Sequence, residues 1–131
     1  MIACPAPLRS ALTIALLLTG LGSARGEECQ ANFAPSPGTD WQSRIAFHND
    51  TNYAMRLLWV DFNGGLKDYG LLQPYENTGF KTYVGHNWVV EVYTEEGPEC
   101  LGPISAPDQN GCNLHVVNDA GLGFNADQCD F

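Results

Sequence analysis

LWVDFNGGLKDYGLLQPYENTGFKTYVGHNWVVEVY, residues 58–93, decides how this chain is read. Short apolar runs alternate here with turn chemistry, and nothing keeps a helical period. Residues 53–60 place Tyr53, Met55, Leu57 and Trp59 on one face and Arg56 on the other, the two-residue period of a strand. Asn63-Gly64 follows Phe62 as a two-residue hairpin signal, because a type I′ turn needs positive φ at both central positions. Lys67 to Leu72 forms a return strand, Gln73-Pro74-Tyr75-Glu76-Asn77 turns again, and Phe80 to Val84, a Gly85-His86 turn and Trp88 to Tyr93 complete an expected meander.

The same pattern extends outward from this stretch. Ile45 and Phe47 alternate with Ala46 and His48 before a turn at residues 49–52. Beyond Tyr93, the Gly-, Pro- and acid-rich residues 94–111 read as a loop. Cys112 to Asn118 reads as one more strand, with Leu114 and Val116 on a shared face, and the last twelve residues as a tail. Residues 27–43 carry Pro35, Pro37 and Gly38 and read as an N-terminal arm pinned by Cys29. The fold class expected is all-β: a small sandwich of about seven strands with two disulfides, occupying residues 44–131.

The first 26 residues read as a secretory signal peptide: Arg9, the apolar run Ala11–Leu18, then small residues up to Gly26. That run is too short to span a bilayer, so no membrane segment is expected in the mature form. Cleavage there leaves 105 residues, one domain's worth. Four basic against fifteen acidic residues then give a net charge of −11, a surface that repels phosphate backbones and anionic headgroups and excludes nucleic acid. The expected location is secreted, periplasmic or extracellular. Cys29, Cys100, Cys112 and Cys129 make an even set without CxxC spacing, which reads as two disulfides in an oxidising compartment. Three connectivities are open; the favoured one joins Cys100 to Cys112 across the intervening loop and Cys29 to Cys129 across the two ends.

Five residues of the opening stretch look like a ready-made pocket. Trp59 is followed by Asp61-Phe62-Asn63-Gly64, by Tyr69 ten residues on, by a Pro-bearing turn, and by Thr82-Tyr83-Val84-Gly85-His86-Asn87-Trp88 beginning thirteen residues after Tyr69. In this series the chain resembles the von Hippel-Lindau β-domain family over roughly residues 44–93. The resemblance implies a prealbumin-like sandwich and a hydroxyproline-binding site at Trp59, Tyr69, Thr82, Tyr83, His86 and Trp88, with Thr82 standing where the family has serine. The chemistry suits such a ligand. Rigid aromatic walls from Trp59, Tyr69 and Trp88 hold a flat apolar ring, while the Thr82 hydroxyl and His86 imidazole satisfy its one hydroxyl. In the tumour suppressor of that family a helical domain follows and recruits elongin C and a cullin ligase. No helical period follows Tyr93 here, so no elongin or cullin recruitment is expected.

Each of these residues also has a plain structural role open to it: tryptophans fill cores, a His beside Gly85 can cap a turn, and Thr favours strands. Catalysis finds little support. His48, His86 and His115 lie on separate elements without metal-ligand spacing, and Ser36, Ser43 and Ser105 sit outside any nucleophile-elbow pattern. No catalytic residue, metal or cofactor is therefore assigned. Asn49-Asp50-Thr51 fits the N-glycosylation acceptor pattern in a turn. The expected function is non-catalytic binding of an extended peptide or protein, hydroxyproline-containing ones included. The alternatives are a small exported enzyme or enzyme inhibitor using the acidic C-terminal loops, and a structural surface module.

Overall fold

Alternating side chains form strands from Gln42 to Asp127 within residues 27–131, the part that the computed structural model describes; the expected signal peptide lies outside those residues. In chain order the strands are β1 (Gln42–Asn49), β2 (Met55–Val60), β3 (Leu66–Leu72), β4 (Asn77–Tyr83), β5 (Trp88–Thr94), β6 (Gly97–Ile104), β7 (Cys112–Asn118) and β8 (Leu122–Asp127). They make two four-stranded sheets, ordered β4-β1-β7-β8 and β3-β2-β5-β6. All pairs are antiparallel except β1 with β7. The sandwich is as expected, with eight strands where about seven were anticipated.

Ile45 and Phe47 of β1 and Leu114 and Val116 of β7 face Met55 and Leu57 of β2 and Val90 and Val92 of β5, all at most 1% exposed. At roughly 25 cal/mol per Å² of apolar surface, this interface is the main source of stability. A second cluster lies on the outer face of the β2–β5 sheet, where Leu58, Val60 and Val89 are covered by Phe33, Leu66 and the Cys29–Cys100 pair. The N-terminal arm is therefore part of the packed structure. Ser36, 4% exposed, donates its hydroxyl to the Val60 carbonyl at 2.5 Å and accepts from the Asn87 N–H at 2.9 Å. Thr39 Oγ1 donates to the Val84 carbonyl at 2.8 Å.

Several expectations are corrected. β4 does not continue a meander beside β3; it crosses to the other sheet and pairs with β1. The crossing lets Phe80 pack against the core between the sheets. The loop read over residues 94–111 contains β6, and the tail contains β8. Pro98 and Pro103 hid β6, yet β6 is an edge strand, where a missing N–H costs little. The turn after Phe62 is not type I′. Gly64 has φ +84° but Asn63 does not have positive φ, and the Asp61 carboxylate accepts from the N–H groups of Asn63 and Gly65, each at 2.8 Å. Gly64 is required for a further reason: a Cβ there would lie 2.8 Å from the Phe33 carbonyl oxygen of the arm.

The disulfides join Cys29 to Cys100 and Cys112 to Cys129, with Cα separations of 4.9 and 5.0 Å. The favoured pairing is overturned because Cys100 points into the cluster outside one sheet, whereas Cys112 points into the core beside the other. Cys129, just beyond β8, returns to Cys112 through the β7–β8 hairpin. Asn49 is corrected as well. It is 0% exposed, its Nδ2 donates to the Tyr53 and Gln73 carbonyls at 2.7 and 3.0 Å, and its Oδ1 accepts from Thr51 N–H and Oγ1 at 3.0 and 2.7 Å. A glycan on that nitrogen has no room, so Asn49 is a buried clamp for the β1–β2 turn.

Candidate functional site

β3 and β4 are the edge strands of opposite sheets, joined by a turn in which Tyr75 takes φ 63°. Between them opens a cleft of about 330 Å³ lined by Trp59, Phe62, Lys67, Tyr69, Lys81, Thr82, Tyr83, His86 and Trp88. All six residues expected at the site from the sequence are in that lining. Five of them arrive by ordinary strand geometry. Trp59 and Trp88 are directly opposite in the β2–β5 register, Tyr69 stands on β3, and Thr82 and Tyr83 end β4.

His86 follows the β4–β5 turn, in which its N–H donates to the Tyr83 carbonyl at 3.0 Å and Gly85 takes φ +81°. Its ring does not take the alternative role of capping the turn. Instead Trp59 Nε1–H donates to His86 Nδ1 at 3.2 Å. An accepting Nδ1 places the neutral ring's proton on Nε2. Nε2 is buried without a hydrogen-bond partner among the described residues. The ring is 4% exposed, and burial lowers its pKa from the usual 6.5; the nearby Pro37 carbonyl offsets this in part, although it stands outside hydrogen-bonding geometry. At neutral pH His86 is therefore uncharged.

The second indole does the same for the other polar group. Trp88 Nε1–H donates to Thr82 Oγ1 at 3.1 Å, leaving that oxygen one lone pair and its own proton for a further partner. Trp88 is only 2% exposed, stacked 5.3 Å from Phe80 and tilted against Phe47. It forms the floor of the cleft rather than a free-standing wall. The walls are half-exposed: Tyr69, with its ring 5.1 Å from Trp88, and Trp59, with Phe62 edge-on at 5.3 Å. Tyr83, 39% exposed, closes the side nearest His86 at 5.3 Å.

Phe62, Lys67 and Lys81 were missed as lining residues. The first stood in the resembling series and beside the hairpin turn without being assigned to the site, and the lysines were given no role there. The alternation of β3 and β4 could have indicated the lysines once the two strands were known to face each other. A larger depression, about 500 Å³, lies against the arm and includes Glu27, Glu28 and Glu99. The smaller cleft is the stronger candidate, because there rings and oriented hydrogen-bonding groups converge. Among the described residues no cluster of three or more His, Cys, Asp or Glu side chains could hold a metal ion.

Comparison with known proteins agrees on this region. Residues 36–98 match the family model described as the VHL beta domain, a family of protein-binding modules. The match begins at Ser36, so it takes in part of the arm that fixes the cleft. No curated protein matches the chain. A solved structure described as "Trapped Toxin" is similar at a TM-score of 0.38 and 10% identity, over 66% of this chain. The chain spans 23% of that structure's length, and a likeness this loose carries neither fold nor function.

Proposed function

Given that this chain is a VHL beta-domain-like protein, we propose that it is an exported, non-catalytic module that seats the ring of a hydroxyproline in an extended peptide between Trp59 and Tyr69. Residues 1–26 serve as its signal peptide, residues 27–43 as an arm and residues 44–131 as the binding sandwich. The two disulfides suit an oxidising, extracellular setting.

The observation that carries the proposal is the pair of indole N–H bonds, Trp59 to His86 and Trp88 to Thr82. They fix the two polar groups and leave Thr82 Oγ1 one lone pair and its own proton for a ligand. A ligand hydroxyl can donate to the remaining lone pair of Thr82 Oγ1, beside the imidazole that Trp59 holds in place; His86 Nε2 itself is buried. Plain proline offers no hydroxyl, so its binding desolvates the Thr82 hydroxyl without giving it a new partner, which costs about 1–3 kcal/mol. Backbone groups along the open edge of β4 give an extended peptide a strand to pair with.

Calorimetric titration of the exported protein with matched hydroxyproline and proline peptides tests this. The expected preference for the hydroxylated peptide is at least tenfold, about 1.4 kcal/mol. Tyr69→Ala, which removes an exposed wall, should weaken both peptides, whereas Thr82→Val should erase the preference and leave weak binding to both. Equal affinity of the wild-type protein for the two peptides would refute hydroxyl recognition.

A further inference from the structure

Fifteen acidic residues stand against four basic ones over residues 27–131, so a cation without a partner is unexpected on this surface. Arg56 is committed, with Nη1 2.6 Å from Asp68 Oδ2. Arg44, Lys67 and Lys81 have no ion-pair partner among the described residues. All three are exposed, and all three gather at one place. Lys67 of β3 and Lys81 of β4 come from the two sheets and line the aromatic cleft together. Arg44 lies directly opposite Lys81 in the β1–β4 register. These two share a neighbouring depression with Gln42, Ser43 and Gln109, so Lys81 belongs to both hollows. Like charges directly opposed across a sheet destabilise it, and no carboxylate of this acidic protein relieves them.

We propose that the peptide seated in the cleft carries carboxylate side chains beside its pocketed residue, one met by Lys67 and one, beyond Lys81, by the Arg44–Lys81 pair. The proposal deepens the peptide-site function above and rests on it. Charge complementarity selects this ligand over a continuous polyanion. The protein's overall negative charge repels an anion that carries charge along its whole length, as phosphate backbones do. A short peptide with acids only at the cationic positions avoids most of that repulsion. At physiological ionic strength charges are screened over about 8 Å, so contacts with the three cations outweigh the distant carboxylates.

The test is titration calorimetry on the exported chain in 0.15 M salt, a concentration at which screening extends over about 8 Å, with four versions of one peptide: hydroxyproline or proline at the centre, aspartate or asparagine at the flanking positions. The aspartate versions should bind about tenfold more tightly than their asparagine twins, about 1.4 kcal/mol. Arg44→Gln combined with Lys81→Gln should remove most of that difference, and Lys67→Gln a smaller part. Asparagine flanks that bind as well as aspartate, with the hydroxyproline preference intact, overturn the charge proposal alone. An aspartate preference with no hydroxyproline preference sustains it and overturns hydroxyl recognition instead. Failure of all four peptides to bind overturns both.

Discussion

Thr82→Val isolates the hydrogen bond on which the candidate site is built. Thr82 is 5% exposed and Trp88 2%, and the indole N–H reaches Thr82 Oγ1 at 3.1 Å. Valine nearly reproduces the shape of threonine, so no cavity opens. What changes is that the bond is lost and a buried indole N–H is stranded, together at about 1–3 kcal/mol. The added methyl offsets part of this, at about 0.8 kcal/mol. The net expectation is a loss of about 1–2 kcal/mol, or on the order of 5–10 °C in melting temperature for a domain this size. Thr82→Ser keeps the hydroxyl and gives up one buried methyl, a loss of about 0.8 kcal/mol. The order wild type, then serine, then valine is the diagnostic outcome, because packing and strand propensity alone would rank valine first. Equilibrium urea unfolding followed by tryptophan fluorescence reads it directly. A valine variant as stable as wild type would show that the Trp88–Thr82 bond does not hold the cleft floor.

Other outcomes follow from the same structure. Exported protein, unfolded and alkylated, should show no free thiol by mass; the chain-entropy model assigns about 4 kcal/mol to the Cys29–Cys100 link across 71 residues and about 3 kcal/mol to Cys112–Cys129 across 17, so a Cys29→Ala/Cys100→Ala variant should lose more in urea unfolding. His86 has its pKa lowered in the folded state, so the unfolded chain binds its proton more tightly; the neutral ring's contribution to stability is complete above about pH 6.5 and is lost as pH falls below that value. Melting curves of wild type and His86→Asn should accordingly converge on acidification from pH 7 to 5, and parallel profiles would contradict the burial of that ring. Asn49→Ala removes the bonds donated to the Tyr53 and Gln73 carbonyls, strands the Thr51 N–H and should cost on the order of 3 kcal/mol, while material exported from a glycosylating host should carry no glycan at Asn49.

Sequence alone determined the things that are local. Two-residue alternation in β1, β2 and β7 marked them as strands and assigned their core-facing sides, since side-chain direction depends only on position along an extended chain. The spacing from Trp59 to Trp88 gathered six residues that do line one cleft. Tertiary structure decided what depends on partners far away in the chain. Every strand has the same period, so nothing within β4 said that it would leave β3 and pair with β1. That crossing turns β3 and β4 into facing lips, brings Lys67 to Lys81, and converts Trp88 from a wall into a floor. Cysteine spacing likewise did not reveal that Cys100 and Cys112 face away from one another, because the outer cluster containing Cys100 exists only once the arm has folded over β2 and β5. Asn49 had the sequence of a surface acceptor and the surroundings of a core clamp, a difference made by carbonyls at Tyr53 and Gln73 that meet it only when β2 and β3 pack behind the turn.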